Sequence, residues 1–508
     1  MTRVAVATTS QRAADAAREI AARGGNAVDC ALAASLLTMN TEPGVCALAG
    51  SAYVTVYVPG RPPVTIDGNT AVPGIGLDET ERGGGAVEVT MEYGGGITTL
   101  VGPGSVAVPG SLAALERTWQ RFGSVPWREL FAPTIRLVRE GFALSSACHL
   151  YLGYSGQSIY GRSTDGFRAL HHEDGSLRAV GSRIRIPHLA DALTAIAEEG
   201  AQVFYRGDLG AAIVAHVRDG GGALTADDLA GYEALEREAL SVDVGEWSIA
   251  SNPLPAIGGT TLAALLLACS RLAGPAWDRD SLAHLIAAQR GVLGFRKRRL
   301  DLADDLGATA AELLQAAARG GIPGPHASAS TVHTSAVDAS GSACAITASS
   351  GYGAGEMAPG TGIWLNNCLG ELELNRRGLE AGPPGSRLPS NMSPSVARHG
   401  DVTIAVGSPG ADRITTALHQ FLVNHLQFGM PLVDAIAHPR LHVDTSGATE
   451  RLMAEPGLEL PAVDMPLKVT PELSMYFGGV AAALVDGHAG FEVAADPRRE
   501  GGTMVTSG

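Results

Sequence analysis

A threonine that could become a chain terminus is the first feature of this sequence with chemical potential. Thr331 follows GPHASAS, a run of small residues that ends at Ser330, and it opens the strand-like stretch TVHTSAVD. A threonine hydroxyl is a weak nucleophile without an adjacent base, and a terminal threonine carries that base as its own α-amine. The α-amine has a pKa of roughly 7.7 to 8.0, whereas an internal amide nitrogen is not basic. The pattern therefore raises the hypothesis that the chain is cut between Ser330 and Thr331. A lone threonine in a strand is usually an ordinary β-branched residue, so the hypothesis depends on its surroundings.

The elements that would position this threonine are strands at both ends of the chain with helices between them. Strand patterns occur at 4–7, 52–58 and 62–67, helical patterns dominate 111–230, and strands return from Thr331 onward. This order predicts a layered α/β fold built on antiparallel sheets rather than a repeated βαβ array.

Two segments are expected to be loops. Residues 80–100 contain two glycine triplets, and residues 375–394 (NRRGLEAGPPGSRLPSNMSP) are rich in glycine and proline. A loop as long as the second one inside a compact domain is usually functional.

The composition restricts the possible partners. The chain has 508 residues, of which 45% are hydrophobic, and its formal charge of −15 disfavours nucleic acid or an anionic membrane as a partner. The N-terminus lacks the apolar core of a signal peptide, and no apolar run is long enough to cross a bilayer. We therefore expect a cytoplasmic protein without a membrane segment.

Lysine and cysteine usage argues against a bound cofactor or metal. The only lysines are Lys297 and Lys468, so the sequence has no P-loop and few candidates for a pyridoxal Schiff base. The basic stretch FRKRRLD around Lys297 is expected to be a solvated helix face. The six cysteines are widely spaced with no C-x-x-C pair, which is typical of reduced, buried thiols rather than of disulfides or a metal site.

Motifs in a fixed order point to a known family. TVHTSAVDASGSACAIT, GAGEMAPGTGIWLNN, LPSNMSPS and VGSPGADRITTA follow one another in the last third of the chain. GGNAVDCALAASL, VPGSLAALERTWQRFG, FYRGDLGAAIVAHVRDGGGALTADDLAGY and NPLPAIGG precede them. Each piece is weak alone, but together and in this order they resemble the γ-glutamyltransferase family of N-terminal-nucleophile (Ntn) hydrolases over nearly the whole chain.

The resemblance implies an α+β fold, a four-layer αββα sandwich, made as a precursor that cleaves itself. Residues 1–330 would form the large subunit and residues 331–508 the small subunit, and the two chains would remain each other's partner. The run of small residues before Thr331 would then be the cleavage loop. The family resemblance implies a small-molecule substrate and no cofactor.

The resemblance also implies which residues carry the chemistry. Thr331 falls at the nucleophile of both self-cleavage and catalysis, and Ser349 falls where the family has a hydroxyl residue hydrogen-bonded to the new terminus. The backbone N–H groups of Gly410 and Ala411 fall at the oxyanion hole, where donors must meet the charge that develops on the attacked carbonyl. Ala411 replaces the family's second glycine there, which leaves the N–H group intact.

Some of the positions that bind substrate in the family carry different residues in this sequence. Ser390 and Asn391 match the residues that hold the substrate carboxylate, and Glu371 matches the acidic residue that receives the substrate α-amine. Asn69 stands where an arginine normally grips that carboxylate, and it lacks the charged, bidentate fork of an arginine. Cys368 stands where a glutamine is usual. These departures imply that glutathione is a poor substrate, unless Arg376, Arg377 or Arg387 takes over the arginine's role.

Three functions remain open at this point. The first is an autoprocessing hydrolase or acyltransferase acting through an acyl-enzyme on an amide of a small amino-acid-like molecule. The second is the C–C bond cleavage next to a carbonyl that some relatives perform in the biosynthesis of proline-type antibiotic precursors. The third is an unprocessed, non-catalytic binding protein, which the presence of Thr331, Ser349 and the SPG turn disfavours.

Overall fold

The structure, a computed structural model, describes residues 2–92, 96–272, 274–319, 331–445 and 449–506. The strands in chain order are β1 (Val4–Thr8), β2 (Ser51–Tyr57), β3 (Val64–Gly68), β4 (Val87–Met91), β5 (Ile97–Val101), β6 (Phe142–Ala143), β7 (Arg183–Ile184), β8 (Leu235–Glu238), β9 (Leu240–Val244), β10 (Trp247–Ser251), β11 (Val332–Asp338), β12 (Ala343–Ser349), β13 (Ser395–His399), β14 (Val402–Gly407), β15 (Leu441–Asp444), β16 (Arg451–Ala454), β17 (Leu467–Val469), β18 (Ala481–Asp486), β19 (Gly490–Ala495) and β20 (Gly502–Val505). The helices are α1 (Gln11–Ala22), α2 (Ala27–Thr41), α3 (Ser111–Phe122), α4 (Trp127–Glu140), α5 (Ser146–Ser155), α6 (Thr164–Leu170), α7 (Leu189–Glu199), α8 (Gln202–Tyr205), α9 (Asp208–Asp219), α10 (Ala226–Ala230), α11 (Ile257–Ala268), α12 (Arg279–Phe295), α13 (Leu306–Arg319), α14 (Arg413–Leu422) and α15 (Leu432–Ala437).

Two antiparallel sheets form the centre of the molecule. One has the spatial order β20-β1-β11-β12-β2-β3-β8, and the other has the order β19-β18-β14-β13-β10-β9. Small apolar side chains fill the space between them, including Ala5, Val337 and Ala345 from the first sheet and Val396 and Ala483 from the second. Small residues on both inner faces allow the two sheets to pack closely.

Helices cover the outer face of each sheet. Helices α1 and α2 pack on the first sheet, and their ends are defined by local hydrogen bonds: Ser10 caps α1, and Asn26 and Asp29 form a capping box at α2. Helices α11 and α14 pack with the second sheet through a cluster that includes Leu262 and Leu418. The layers are therefore helix, sheet, sheet and helix, which confirms the predicted α+β sandwich.

Each sheet combines strands from both sides of Thr331. In the first sheet β11 lies next to β1, and β12 lies next to β2 with Ser349 opposite Ser51. In the second sheet β13 lies next to β10. The described residues before and after this threonine consequently form one intertwined core.

The two expected loops had different outcomes. Residues 375–394 are a loop, with only a short 3₁₀ turn at Gly378–Glu380, as predicted. The prediction of a loop at 80–100 was wrong in part, because β4 and β5 form a hairpin there. Ile97, Thr99 and Val101 alternate with less buried residues, so one side of β5 packs on the core. Gly83, Gly84 and Gly85 precede β4, and Gly96 precedes β5, so these glycines do not interrupt either strand.

The described residues contain no helix with the length and apolarity needed to cross a bilayer. All six cysteines are buried and unpaired.

Candidate active site

Thr331 lies immediately before β11 and lines a small cavity of about 30 Å³. Because β11 lies between β1 and β12, the residue at its start is held by a rigid sheet, and only 3% of the Thr331 surface is exposed. The described residues that line this cavity, called the threonine pocket below, are Ser51, Asn69, Thr70, Thr331, Ser349, Cys368, Glu371, Leu374, Pro389, Ser390, Asn391, Met392, Ala411 and Ile414.

The threonine pocket brings together most of the residues selected from the sequence. Those that line it are Thr331, Ser349, Ala411, Asn69, Cys368, Glu371, Ser390 and Asn391. Gly410 does not line it directly but precedes Ala411 in the same turn. Ser330, the other side of the proposed cut, lies outside the described residues.

Strand register explains why Ser349 is beside Thr331. Strands β11 and β12 are antiparallel and pair Val332 with Ala348, so the next residues outward on the two strands are Thr331 and Ser349. The Ser349 carbonyl accepts a hydrogen bond from Ser51 Oγ at 3.0 Å, and its hydroxyl accepts from the Gly351 N–H at 3.2 Å. These bonds fix the end of β12 against β2.

The turn after β14 presents two backbone donors. Gly410 and Ala411 have φ values of 122° and 63°, and they lead into the N-terminus of α14. Within the described part of the chain, neither N–H group donates to another protein group. Free N–H groups at a helix start favour negative charge, so this turn can stabilise an oxyanion.

A buried ionic network behind the threonine pocket was not predicted. Asn391 donates from Nδ2 to Oδ1 of Asp412, and Arg296 Nη1 donates to the same oxygen at 2.7 Å. Arg296 also donates through Nε and Nη2 to both oxygens of Asp301. The expected solvated face at FRKRRLD is therefore wrong for Arg296 and Lys297, whose exposed fractions are 1% and 6%. Asp301 ends the same run, but Asp412 lies 116 residues further along the chain, so the basic run alone does not reveal the buried position of Arg296.

Glu371 is a buried carboxyl group in the pocket. Burial, with the nearby charges of Glu373 and Asp412, raises the pKa of Glu371 to about 8. The neutral form of Glu371 is therefore favoured at pH 7, and a cation placed beside it would favour the charged form. Oδ1 of Asn391 is also buried and has no hydrogen-bond partner within the described residues.

Asn69 and Cys368 occupy the positions that differ from the family. Asn69 is 2% exposed and donates from Nδ2 to the Leu388 carbonyl at 2.6 Å. Burial and the charge of Glu371 raise the pKa of the Cys368 thiol well above its ordinary value, so the thiol stays protonated. Neither side chain supplies the positive charge that an arginine would.

The three alternative arginines do not line the threonine pocket. Arg376 donates to the Lys297 carbonyl, Arg377 pairs with Asp304, and Arg387 stacks over the Tyr232 ring. Among the described lining residues there is no arginine, lysine or histidine.

The molecule is an αββα sandwich in which Thr331 directly precedes a central strand, and a turn with two unbonded backbone N–H groups contributes to the same site. This combination is typical of the Ntn hydrolases. The family model described as Gamma-glutamyltranspeptidase matches residues 13–506. The chain is 31% identical to the glutathione hydrolase proenzyme of Pseudomonas aeruginosa, with 99% of this chain and 94% of that protein covered. It is 31% identical to the glutathione hydrolase 5 proenzyme of Rattus norvegicus, with 88% and 83% covered. The chain belongs to the gamma-glutamyltranspeptidase family and is an enzyme of the hydrolase and transferase class.

The fold is also found in a solved structure. The cephalosporin acylase of Bacillus halodurans matches with a TM-score of 0.80 at 23% identity, covering 100% of this chain and 96% of that one. This likeness supports the αββα architecture.

Proposed function

We propose that the protein is a self-cleaving threonine Ntn hydrolase that acts through an acyl-enzyme on an amide of a small amino-acid-like molecule. The observation that carries the proposal is that Thr331, Ser349 and Ala411 line one buried cavity although 80 residues separate Thr331 from Ala411. An acyl transfer needs a nucleophile and oxyanion donors around one cavity, and the shared lining supports such a site.

The first step is cleavage before Thr331. Its hydroxyl oxygen attacks the carbonyl carbon of Ser330, the peptide C–N bond breaks, and the Thr331 nitrogen takes a proton to become a free amine. Water then hydrolyses the resulting ester. The products are a large subunit of residues 1–330 and a small subunit of residues 331–508 that begins with Thr331.

The second step is turnover by the mature enzyme. The Thr331 α-amine accepts the proton of the Thr331 hydroxyl as the oxygen attacks the substrate carbonyl. The Gly410 and Ala411 N–H groups stabilise the oxyanion, and the leaving amine takes the proton. Water or an acceptor amine then releases the acyl group. Because the described lining contains no histidine or lysine, the terminal amine is the base best placed for this role.

Glu371, Ser390 and Asn391 bind the substrate. Glu371 gains a favourable partner when a substrate ammonium binds, and the unpartnered Oδ1 of Asn391 suits a substrate N–H donor. Asn69 supports a substrate other than glutathione, because an amide makes a weaker contact with a carboxylate than a guanidinium does. The six unpaired cysteines suit the reducing cytoplasm, where we place the enzyme.

The test is intact mass and N-terminal sequencing of the purified protein beside Thr331→Ala and Thr331→Ser. Wild type and Thr331→Ser are expected to give two chains with the small one starting at residue 331, while Thr331→Ala stays whole. A wild type that remains one chain contradicts the proposal and favours a binding protein. With cleaved enzyme, product analysis on an amide and on a matched keto acid separates amide hydrolysis from C–C cleavage.

A further inference from the structure

Two asparagine side chains in the threonine pocket have amide groups whose orientation is fixed by their partners. Nδ2 of Asn69 donates to the Leu388 carbonyl at 2.6 Å, and Nδ2 of Asn391 donates to Oδ1 of Asp412. Arg296 donates to the same carboxylate oxygen at 2.7 Å, so this oxygen serves as an acceptor. Because a carbonyl and a carboxylate have no hydrogen to donate, turning either amide around would place two acceptors against each other. The oxygen of each amide is therefore left to meet other groups.

Neither amide oxygen accepts a hydrogen bond from another described residue. Oδ1 of Asn391 is buried without a partner, and no group in the described part of the chain donates to Oδ1 of Asn69. Both asparagines line the threonine pocket together with Thr331, and the exposed fractions of Asn69 and Asn391 are 2% and 4%. A buried oxygen that no donor meets is unfavourable until a bound group supplies the hydrogen. The pocket therefore favours a bound group that brings N–H donors.

Glu371 adds a carboxyl group to the same lining. It is 4% exposed, and no described residue donates a hydrogen bond to its side chain. Burial raises the pKa of Glu371, and the negative charges of Glu373 and Asp412 raise it further. A cation that binds beside Glu371 would relieve both effects. Asn69, Asn391 and Glu371 together are called the acceptor wall below.

The donors that remain in the described lining are neutral. The Ser390 hydroxyl and the second N–H of each amide can donate, and the Gly410 and Ala411 N–H groups serve the oxyanion in the proposed mechanism. None of these groups carries a full positive charge. Arg296, behind the pocket, is already paired with two carboxylates. A carboxylate that entered this lining from water would lose its hydration without gaining a cation, which is strongly unfavourable.

We propose that the acceptor wall selects an acyl group that carries an ammonium and no carboxylate, so that the preferred substrates are amides of ω-amino acids such as 4-aminobutanoic acid. This inference rests on the proposed function, because it takes Thr331 as the site of acylation. An ammonium has three N–H donors, which match the Glu371 carboxylate and the oxygens of Asn69 and Asn391. The same wall rejects a γ-glutamyl group, whose carboxylate is attached to the carbon that carries the ammonium.

The test uses 4-nitroanilides that differ only in what the fourth acyl carbon carries. It carries an ammonium in the 4-aminobutanoyl compound, a carboxylate in glutaryl, both in γ-glutamyl and neither in butanoyl. The kcat/KM of the 4-aminobutanoyl compound should be roughly tenfold above those of γ-glutamyl and butanoyl, because the ammonium gains a charge-assisted contact and the carboxylate stays unpaired. Rates without enzyme are subtracted, because a free amine can attack its own amide. A γ-glutamyl or glutaryl compound that reacts as well as 4-aminobutanoyl contradicts the inference.

Two variants change the acceptor wall in different ways. In Glu371→Gln the ratio of 4-aminobutanoyl to butanoyl kcat/KM should fall to about one, because the charged partner of the ammonium is lost. Asn69→Arg adds a cation and should raise γ-glutamyl relative to 4-aminobutanoyl. Glu380→Gln, at an exposed position outside the described lining, should leave both ratios unchanged. A folded Glu371→Gln or Asn69→Arg variant with the ratios of wild type contradicts the inference.

A binding measurement separates this inference from the proposed function. Calorimetry of the Thr331→Ala variant with 4-aminobutanamide and with L-glutamine compares the same ammonium without and with the carboxylate, and it needs no turnover. Tighter binding of 4-aminobutanamide, lost when Glu371→Gln is added, supports the acceptor wall even if no anilide is hydrolysed. Equal or tighter binding of L-glutamine contradicts it. Absence of cleavage at Thr331 in the wild type would contradict the proposed function alone.

Discussion

Asn391 and Asp412 are joined by a buried hydrogen bond that links two walls of the threonine pocket. Asn391 belongs to the segment that lines the pocket, and Asp412 follows the Gly410–Ala411 turn. Arg296, which immediately follows α12, donates to the same carboxylate, so Asp412 holds the Asn391 side chain near the free amides. The position of Asn391 thus depends on the charge of Asp412.

We expect Asp412→Asn to lower both stability and substrate affinity. The substitution removes one of the two carboxylates that the buried Arg296 contacts and leaves its pair with Asp301, and breaking a buried ion pair costs about 3 kcal/mol. Denaturant unfolding in the Thr331→Ala background, where the chain is expected to stay whole, would measure this cost. The control is Asp464→Asn, which removes a pair with Arg290 at a side chain that is 74% exposed and should cost less than about 1 kcal/mol. Similar losses in both variants would contradict the structural role of Asp412.

Ala411→Gly is expected to keep activity and to raise stability slightly. Ala411 has a φ of 63°, a left-handed conformation that costs a non-glycine residue about 1 kcal/mol, and glycine removes that cost while keeping the N–H group. Ala417→Gly, in the regular helix α14, should instead lose about 1 kcal/mol or more. Thermal unfolding of the two variants should show shifts of opposite sign. A loss of activity in Ala411→Gly would mean that the Ala411 methyl group, rather than the N–H, is needed.

Gly351→Ala should displace the Asn367 and Glu371 side chains from their positions beside the pocket. A Cβ at this position would lie 2.3 Å from Asn367 Oδ1 and 2.9 Å from Glu371 Oε2, with φ at +64°. The substitution is expected to cost more than about 2 kcal/mol and to raise KM. Gly360→Ala is the matched control, because Gly360 has a φ of +78° with nothing within 4 Å, so it should cost only the backbone strain of about 1 kcal/mol. Equal effects of the two alanines on KM would rule out the steric explanation.

Glu371→Gln should change how stability depends on pH. The folded protein holds the Glu371 proton up to about pH 8, whereas an unfolded glutamate loses it near its ordinary pKa of 4.5. Between these values the folded state binds more protons, so the Glu371 contribution makes stability fall as pH rises, by at most about 1.4 kcal/mol per unit. The glutamine variant lacks this contribution.

Apparent Tm values at pH 5, 6, 7 and 8 would test the Glu371 prediction in the Thr331→Ala background. Relative to wild type, Glu371→Gln should become progressively more stable toward pH 8. Glu373, whose pKa burial raises to about 7, retains its own slope in both proteins. Glu198→Gln, an exposed helix position, should run parallel to wild type. Parallel curves for Glu371→Gln would show that Glu371 is already charged in the folded protein at these pH values.

The layered fold and the members of the pocket could be predicted because their signals are local. The strand pattern that begins at Thr331 is local, and the ordered motifs, which contain Ser390 and end four residues before Glu371, carry the resemblance that assigned the pocket residues. The Arg296–Asp412 pair could not be predicted, because it joins residues 116 apart through packing that no periodicity records. The β4–β5 hairpin was missed because its flanking glycines dominate the local pattern, although Ile97 to Val101 already alternates.

The shared sheets have a consequence for how the protein can be made. Strands β11 and β12 lie between β1 and β2 in the first sheet. The backbone hydrogen-bonding edges of the strands after Thr331 are therefore paired by strands that precede it. A new chain has to complete both sheets as one molecule before a cut ahead of Thr331, because only then are the neighbours in place. After the cut no covalent link guides the halves back together, so the mature pair would persist by slow unfolding rather than by refolding. If the proposed cleavage occurs, we expect fragments 1–330 and 331–508 expressed separately to reassemble poorly compared with the precursor.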